Sequence, residues 1–405
     1  MTRLRQGCQF VCVFALIAVA LHGTAHGGEP LRAEPQSLEG AAPELIQGLR
    51  ADAYTYFRFV NRPWIARVCD DLRSDLEGLP VIRLHGDAHV EQFALANDQW
   101  GLDDFDDSVR GPAVIDIVRF LGSVDLASRQ RRWEKNRDAL FDRFFEGYQR
   151  GLTDPDYAPP TPEIVRRLRS AAPPTRAAFL KWGDAKMRPM SDPAMQGVVA
   201  AMQAFSRIVL GERADLAPGY FRVARAGWLQ GGVGSAVSPK ILVRVQGPSD
   251  DSADDELLEL RKIGDLGGLS CLEIPTFRPT LRIVDGSKQL GRLKYNIMAA
   301  GPELAIPEVT SRGQQVRDWW IRSLDPSYRQ VRLTELQSLN DLNAIVYDSG
   351  VQLGAGRLQD RTVSQSDAER KQTLAATHRL AKRYRQEAST LIDDVLRGWR
   401  ELRAR

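Results

Sequence analysis

The apolar residues of this 405-residue chain change their spacing twice, and this change limits the folds that it can adopt. Early in the chain they recur at helical spacing, in residues 41–60, 114–129 and 139–152. From about 228 to 325, the segments ILVRVQG, LLELRKI, LRIVDG and DWWIRSL have the pattern of short strands between turns. After residue 335 the helical spacing returns. The sequence therefore predicts an α+β fold, in which a small sheet lobe of about 228–325 packs on a helical lobe built from both ends of the chain.

The first 27 residues have the features of a secretory signal peptide. Arg3 and Arg5 form a basic start, residues 10–21 are an unbroken apolar run, and small residues follow in HGTAHGGEP. The alternative is an uncleaved anchor, but the run is shorter than the roughly 20 residues that span a bilayer. We expect cleavage near residues 25–27. The mature chain would then be a single domain of residues 28–405, periplasmic or secreted, without a stable membrane span.

The composition of the mature chain narrows the classes of function. Two basic residues leave with the signal peptide, so 53 of the 55 remain against 52 acidic ones, and the net charge of about +1 gives no reason to expect nucleic acid binding. Two of the four cysteines leave as well. The remaining Cys69 and Cys271 could form one disulfide in an oxidising compartment, and the sequence leaves open whether they pair. The histidines that remain are His85, His89 and His378.

Two short motifs place acidic and polar side chains close together. In HGDAHVEQF, the strand VIRL leads into a loop with His85 and Asp87, where a carboxylate could accept a proton from an attacking hydroxyl. Gln92, five residues on, could hold a metal ion through its carbonyl. In LDDFDDS, Asp104 precedes Phe105 as in Asp-Phe-Gly, whose aspartate binds the metal ion that bridges nucleotide phosphates. A solvated acidic turn would explain either motif alone, but their order and spacing favour a site.

These motifs resemble those of a bacterial family catalogued as domain of unknown function 2252. That family carries Gly-Asp-x-His-x-x-Asn-Phe, then Asn-Asp-Phe-Asp-Glu, then Gly-Pro-x-x-x-Asp-x-x-Arg. The positions of this chain that fall on the pattern are Asp87, His89, Phe93, Asp104, Phe105, Asp106, Gly111, Pro112, Asp116 and Arg119. The motifs also resemble those of aminoglycoside phosphotransferases and choline kinases. The resemblance implies a protein-kinase-like, two-lobe fold with ATP or another nucleotide and Mg²⁺ or Mn²⁺ as cofactors.

The resemblance also implies roles for single residues. Asp87 would be the catalytic base, and Asp104 would bind the metal ion with Gln92 or Asp106 as a helper. The supporting residues would be His85, which braces the loop, His89, Asp116 and Arg119. The chain departs from the family at Gln92, where the family has a metal-binding Asn, and at Asp103, which replaces an Asn. Gln92 keeps a carbonyl but adds a methylene, which puts a second metal ion in doubt.

A glycine-rich stretch, AGWLQGGVGSAVSPKILVRVQG, precedes an apolar strand late in the chain. Glycines there would let backbone N–H groups approach phosphates closely, although a hairpin turn is the alternative. The family has a similar stretch, followed by a strand with a lysine; here the family pattern falls on Arg261 and charge chemistry favours Lys262. The residues expected to bind the nucleotide are Gly231, Gly232, Gly234, Ser235 and either Arg261 or Lys262. The catalytic segment would thus come before the glycine-rich sheet lobe, a permuted order.

The sequence leaves three functions open. The first is an exported phosphotransferase or nucleotidyltransferase that uses a metal ion and a nucleotide on a small-molecule or protein acceptor, whose identity the sequence does not give. The second is a catalytically inactive, kinase-like binding module, because ATP is scarce outside the cytoplasm and Gln92 departs from the family. The third is a metal-dependent phosphoesterase built on the two motifs. Such an enzyme usually needs further histidines, and His378 lies in a charged helix where we expect it to be solvated.

Overall fold

The computed structural model describes residues 28–39, 41–171, 173–212, 216–229, 240–249, 251–275, 278–301, 304, 319–356 and 363–405. Both helices and strands are present, which confirms the predicted α+β class. The helices are α1 (Pro35–Leu38), α2 (Pro43–Ala51), α3 (Ala53–Phe59), α4 (Asn61–Asp71), α5 (Arg73–Leu76), α6 (Val114–Gln130), α7 (Arg137–Thr153), α8 (Glu163–Arg169), α9 (Arg176–Lys186), α10 (Asp192–Glu212), α11 (Leu281–Leu290), α12 (Leu339–Ala355) and α13 (Val363–Ala404). The strands are β1 (Val81–Leu84), β2 (Phe93–Ala96), β3 (Gln99–Leu102), β4 (Val109–Pro112), β5 (Met187–Arg188), β6 (Val223–Leu229), β7 (Lys240–Val245), β8 (Glu256–Lys262), β9 (Met298–Ala300), β10 (Trp319–Ser323) and β11 (Arg329–Gln330).

The strands form three antiparallel sheets within these ranges. β1 pairs with β4, β11 with β2 and β3, and the six-stranded sheet has the order β5-β6-β7-β8-β10-β9. In the smallest sheet Leu84 lies opposite Val109. The loop that follows β1 and the acidic segment that precedes β4 are therefore neighbours.

The core of the helical unit surrounds α6, whose residues from Val114 to Ser128 are all buried. Its sequence is apolar on most sides, which is typical of a central helix. The ring of Trp64 on α4 packs so closely on Gly122 that an added Cβ there would lie 2.6 Å from it. Leu391 and Val395 of α13 belong to the same core, as the apolar spacing after residue 335 predicts.

The helices α7 and α12 approach each other through glycines on both sides. A Cβ at Gly147 would lie 2.2 Å from the carbonyl oxygen of Tyr347, and one at Gly151 would lie 2.1 Å from that of Val351. On the facing helix, a Cβ at Gly354 would lie 2.3 Å from the carbonyl oxygen of Tyr148. Real Cβ contacts are longer than this, so the backbones of the two helices touch directly.

The six-stranded sheet separates an apolar face from a charged one by strand alternation. Ile241 and Val243 of β7 and Leu258 and Leu260 of β8 share one apolar cluster with residues of α10. The side chains that alternate with them include Lys240, Glu259, Arg261 and, on β10, Arg322. Lys240 lies opposite Arg261 in the β7–β8 register, and Glu259 lies opposite Arg322 in the β8–β10 register. The sheet therefore presents a cluster of charged side chains on the face away from α10.

By length and composition, residues 192–211 within α10 could cross a membrane, and no other helix of the described residues could. In this fold, Val198 and Met202 of α10 are fully buried in the cluster that covers the sheet. This packing accounts for only one side of the helix, because 28% of the apolar window is buried and Ile208 is exposed.

Cys69 and Cys271 form a disulfide across 202 residues of sequence. Cys69 lies on α4 in the helical unit, and Cys271 lies in the connection between β8 and α11. The pairing that the sequence left open is therefore present in the structure.

Two local expectations need correction. LRIVDG, predicted to be a strand, begins the helix α11, because Ile283, Ser287 and Leu290 recur at helical spacing and are buried together. Residues 41–60 form two helices rather than one: Asp52 separates them and caps α3 by accepting a hydrogen bond from the Thr55 N–H. The predicted signal peptide, residues 1–27, lies outside the described residues.

Candidate functional site

A cleft of about 1130 Å³ lies between the helical unit and the charged face of the large sheet. Its lining from the helical unit includes Asp87, Gln92, Asp104, Asp106 and Asp107. Its lining from the sheet includes Lys240, Glu259, Arg261 and Lys262. Residues that the two sequence motifs singled out thus share one cavity with residues of the late strands.

The loop after β1 is held in place by Asp116 from the first turn of α6. Its carboxylate accepts hydrogen bonds from the backbone N–H groups of His85 (2.8 Å) and Gly86 (2.9 Å). Gly86 has a positive φ of 85°, and a Cβ there would lie 1.9 Å from the carbonyl oxygen of Asp107. Only glycine fits this close approach. Asp116 therefore supports the loop that carries Asp87.

Asp87 is ion-paired, but only through one of its carboxylate oxygens. Nε and Nη2 of Arg119 lie 2.9 and 2.8 Å from Oδ1. The guanidinium of Arg119 also stacks 3.7 Å above the ring of Phe57, which fixes its position. Within the described part of the chain, Oδ2 accepts no hydrogen bond, and Nε2 of His89 is 3.6 Å from it. Burial raises the pKa of Asp87 to about 7, although Arg119 opposes this shift.

His89 is fully buried, and neither ring nitrogen forms a hydrogen bond within the described residues. Burial and the charge of Arg58 hold its pKa well below the usual value, so His89 is neutral at neutral pH. Its ring meets the ring of Tyr54 edge-on, at a centroid distance of 5.9 Å. His89 therefore packs beside Asp87 as an uncharged side chain. Arg58 forms an ion pair with Glu91 at 3.2 Å.

The acidic segment after β3 turns sharply at Asp104, whose φ of 65° lies in the left-handed region. Such a conformation costs about 1–3 kcal/mol in a residue other than glycine, and it is enriched at functional sites. Phe105 is buried, and its ring centroid is 4.8 Å from that of His85. His85 Nε2 is 2.9 Å from the carbonyl oxygen of Asp103. His85 thus joins the two loops, consistent with the bracing role expected for it.

Arg261 of β8 bridges the two carboxylates of this segment. Its Nη1 donates to Oδ1 of Asp104 at 2.6 Å and to Oδ2 of Asp106 at 2.7 Å. Burial disfavours ionised Asp104, but the charges of Arg261, Lys240 and Arg322 outweigh it and hold the pKa of Asp104 well below the usual value. Burial raises the pKa of Asp106 to about 6, and its buried Oδ1 has no hydrogen-bond partner among the described residues.

The residues predicted to bind a metal ion have other partners in this arrangement. The Arg261 guanidinium supplies the positive charge between Asp104 and Asp106, and the Gln92 side-chain oxygen accepts a hydrogen bond from Gln330 at 3.2 Å. No group of three or more His, Cys, Asp or Glu residues among the described residues is arranged to hold a metal ion. The donor types suit Mg²⁺ or Mn²⁺, but their present geometry does not form a metal site.

Several site residues could not be identified from motifs alone. Glu259 pairs with Arg261 and with Arg322, each at 2.9 Å; burial opposes ionisation of Glu259, but these two charges lower its pKa to about 2. Burial and the charge of Arg261 lower the pKa of Lys240. The signal that could have revealed them is the alternation in KILVRV and ELLELRK, which puts Lys240, Glu259 and Arg261 on one face.

Asn61 joins the two loops to each other, and Asp103 joins the acidic segment to the sheet. Asn61 donates to the carbonyl oxygen of Gly86 at 3.0 Å and to Oδ2 of Asp107 at 2.9 Å. Asp103 stands where the family has Asn. It accepts a hydrogen bond from the Tyr295 hydroxyl at 2.5 Å, and its Oδ2 lies 3.4 Å from Nη1 of Arg322. Asp103 is therefore tied to the sheet rather than turned toward the cleft.

The predicted glycine turn, Gly231, Gly232, Gly234 and Ser235, lies outside the described residues. Leu229 and Lys240, the described residues on its two sides, both line the cleft. Of the two candidates on β8, Arg261 carries the contacts to the acidic loop, and Lys262 lines the cleft without a described ion pair.

Residues 39–196 match the family described as "Uncharacterized protein conserved in bacteria (DUF2252)". The match confirms the family resemblance of the two motifs, and it contains Asp87, Asp104, Asp116 and Arg119. It ends before β6, so the charged face of the sheet lies beyond it. The chain matches no curated protein and no solved structure.

Proposed function

We propose that this DUF2252 protein, matched to its family over residues 39–196, is an exported phosphotransferase or nucleotidyltransferase with a permuted, kinase-like arrangement of two lobes. One observation carries the proposal. Asp87 and Asp104, from the early motifs, line the same cleft as Lys240 and Arg261, from the late strands. A catalytic carboxylate opposite a cationic wall is what phosphoryl transfer requires, because that reaction depends on positioning and on stabilising the charge of the transferred group.

In this proposal Asp87 is the base that accepts the proton of an acceptor hydroxyl. Its Oδ2 is left for an acceptor because Arg119 binds Oδ1. A pKa of about 7 suits a base at neutral pH, since the group is ionised in a useful fraction and still takes a proton. Turnover should then fall as pH drops below about 7, where Asp87 becomes protonated.

The nucleotide phosphates would lie against the sheet side of the cleft. Lys240, Arg261 and Lys262 supply positive charge there, and the glycine turn of residues 231–235 is expected to add backbone N–H groups. Mg²⁺ or Mn²⁺ stays a predicted cofactor. Arg261 occupies Oδ1 of Asp104, so the ion would bind Oδ2 or take the place of Arg261.

A ligand screen with matched variants tests the proposal. Thermal unfolding of the mature chain is measured with ATP and GTP, with and without Mg²⁺ or Mn²⁺, because a bound ligand raises the apparent stability. Asp87→Asn should keep the nucleotide shift and reduce transfer or hydrolysis roughly 10²-fold or more. Asp104→Asn should abolish the metal-dependent part of the shift. The control is Asp138→Asn, an exposed aspartate on α7, which should behave as wild type.

The outcomes separate the proposed activity from its alternatives. Absence of stabilisation by any nucleotide would refute the proposal. The comparison of variants requires that each of them, without ligand, unfolds at a temperature close to that of wild type. An unchanged metal-dependent shift in Asp104→Asn would remove the metal assignment alone. Turnover in Asp87→Asn equal to wild type would remove the base assignment.

The second candidate is a binding module without catalysis. The observation that favours it is the pairing of Arg261 with both Asp104 and Asp106, together with the hydrogen bond from Gln330 to Gln92. Nucleotide binding without turnover in wild type would support this reading. The phosphoesterase finds less support, because His378 is exposed on α13, where its Nε2 contacts Gln149 at 3.3 Å.

Export is the remaining part of the proposal. The disulfide between Cys69 and Cys271 supports it, because stable disulfides are rare in the reducing cytosol of most bacteria and persist in the periplasm and outside the cell.

A further inference from the structure

We propose that Asn61 is a positioning residue for the transfer reaction, because its side-chain amide holds the loop of Asp87 against the acidic segment. Asn61 lies outside both sequence motifs, at the first residue of α4, and it lines the cleft with only 6% of its surface exposed. A positioning residue does not touch the reacting atoms and acts through the residues that do. The role rests on the function proposed above, since it gives Asn61 a part in the reaction at Asp87.

The peptide unit between Gly86 and Asp87 is held at both of its polar ends. Its carbonyl oxygen, on Gly86, accepts a hydrogen bond from Nδ2 of Asn61 at 3.0 Å. Its N–H, on Asp87, donates to Nδ1 of His85 at 3.3 Å. Because a peptide unit is planar, two bonds at opposite ends fix its orientation. The side chain of Asp87 therefore leaves the backbone in a fixed direction, and Arg119 holds its Oδ1 at 2.9 Å.

The same amide nitrogen of Asn61 also bonds to the acidic segment. Nδ2 donates to Oδ2 of Asp107 at 2.9 Å, and the backbone of Asp107 contacts Gly86, where a Cβ would lie 1.9 Å from its carbonyl oxygen. The charge of Arg282 acts on Asp107 as well, but the described hydrogen bonds of Arg282 go to backbone carbonyl oxygens. One side-chain group of α4 thus sets the spacing of the two loops, and with it the distance from the base to Asp104.

The orientation of the Asn61 amide follows from its partners. A backbone carbonyl and a carboxylate only accept hydrogen bonds, so the nitrogen of the amide, and not its oxygen, must face them. Oδ1 is then buried without a hydrogen-bond partner among the described residues. A buried acceptor without a partner lowers the stability of a fold, and departures of this kind from local rules are expected at functional sites. The two bonds that offset this cost both go to loops of the site.

The first turn of α4 is a rigid support for this amide. Nη2 of Arg62, the next residue, donates to the carbonyl oxygen of Gly267 at 2.6 Å, in the connection between β8 and α11. Farther along the same helix, Cys69 is joined to Cys271 of that connection. A side chain positions its neighbours only when its own support is held in place. Here α4 is tied at two points to the connection that lines the cleft at Gly264.

Steady-state kinetics of Asn61→Ala test the role. The substitution removes both bonds and leaves Asp87, Asp104 and the cationic residues in place. We expect kcat for nucleotide-dependent transfer or hydrolysis to fall roughly 10- to 10²-fold, because a displacement of about 1 Å at a reacting group has an effect of this size. The nucleotide KM, and the shift in unfolding temperature on nucleotide binding, should stay as in wild type. A residue that only stabilises the fold would not separate kcat from KM in this way.

A reciprocal exchange tests the bond between the two loops. Asn61→Asp alone places a carboxylate against two acceptors, so it should reduce kcat at least as much as Asn61→Ala. Adding Asp107→Asn to it turns donor and acceptor around, the bond between the two side chains can form again, and part of the lost kcat should return. The matched control is Asn97→Asp, with and without Asp325→Asn, because Nδ2 of Asn97 makes the same kind of bond to Asp325 at 2.8 Å on the exposed surface. Neither control variant should change kcat.

The outcomes separate this role from the proposed function. Turnover in Asn61→Ala equal to that of wild type would overturn the positioning role and leave the proposed function intact. A parallel loss of kcat, nucleotide affinity and free energy of unfolding would also overturn the role, because Asn61 would then act on the fold as a whole. So would an exchange variant no more active than Asn61→Asp. Absence of turnover in wild type would overturn the proposed function itself, and the role with it. If Asn61→Ala does not fold, Asn61→Ser, which keeps a shorter donor, is judged by the same separation of kcat from KM.

Discussion

The carboxyl group of Glu387 on α13 is buried in a setting that disfavours its charge. Only 6% of its side chain is exposed, and its Oε1 forms no hydrogen bond within the described residues. Nη2 of Arg383 lies 3.9 Å from Oε2 of Glu387, which is too long for a hydrogen bond. Burial, followed by the charge of Asp71, raises the pKa of Glu387 to about 7. Since the folded pKa exceeds that of an unfolded glutamate, the folded state holds the proton more tightly.

This shift predicts a pH-dependent gain from Glu387→Gln. Wild type should lose stability as pH rises from about 4.5 to about 7, because ionised Glu387 is costly to bury. The variant keeps the shape without this cost, so its free energy of unfolding should match that of wild type near pH 4.5 and exceed it by roughly 1–3 kcal/mol at pH 8. Urea unfolding at both pH values measures the difference. The control, Glu146→Gln, removes an exposed partner of Arg143 and should change little at either pH.

Single residues also show what the sequence could predict of the site. Asp87 and Asp104 could be picked out because they belong to short motifs, in which the chemistry lies in neighbouring positions. Glu259 and Arg322 could not, because they meet only across a strand pairing separated by 63 residues. Motif analysis gives the side chains of a loop, and it cannot give partners that the sheet register brings together.

At the scale of elements, apolar spacing located the helices α6, α7, α12 and α13 and the strands β7, β8 and β10, but it did not identify α10 or β6. It was wrong for LRIVDG because six residues with two apolar β-branched members fit either a strand or the first turns of a helix. The residues that follow LRIVDG show that it belongs to a helix, because GSKQL continues the helical spacing to Leu290, which is buried. Short apolar segments are ambiguous until their continuation is considered.

The glycine contacts between α7 and α12 give a prediction for this pair of helices. Gly151→Ala should lower the free energy of unfolding by about 1–3 kcal/mol or more, because the new methyl group would meet the carbonyl oxygen of Val351 and push the helices apart. Gly354→Ala on the facing helix α12 should lower the free energy of unfolding by a similar amount. Thermal or urea unfolding provides the measurement.

Gly48→Ala in α2 is the matched control for these substitutions. A Cβ there meets no atom within 4 Å, so only helix propensity changes, and stability should rise by about 0.5–1 kcal/mol. An equal rise in the free energy of unfolding for alanine at positions 48, 151 and 354 would contradict the direct contact of the two backbones.

At the scale of the whole molecule, the sequence predicted the order of the helical and sheet segments but not how they meet. The predicted sheet lobe began at about 228, whereas the sheet takes strands from Met187 to Ser323 and is covered by α10. The strand β5 has two residues, which is too short for any periodic pattern. Which faces of the two units form the cleft depends on tertiary packing, which no local pattern encodes.

The export proposal predicts a defined chemical state of the whole chain. Protein recovered from the cell envelope should begin near Gly28, and its intact mass should be lower than that of the reduced chain by two hydrogen atoms because Cys69 and Cys271 are joined. Reduction should lower the free energy of unfolding by about 2–5 kcal/mol, since it frees a large loop in the unfolded state. Intact-mass spectrometry and unfolding with and without a reductant measure the two effects.

A double variant, Cys69→Ser with Cys271→Ser, is the control for reduction. It should have the stability of the reduced wild type and should not respond to the reductant. A cytoplasmic product that retains Met1 and carries free thiols would contradict export.

The disulfide also determines how the molecule responds to a protease. Cys69 and Cys271 enclose β1 to β8, with most of the cleft's carboxylates and the cationic strands β7 and β8. One cut anywhere between the two cysteines opens the chain without releasing either piece, so the fragments migrate together until a reductant separates them. In a compartment rich in proteases, a nicked molecule would keep both walls of its cleft on one covalent assembly.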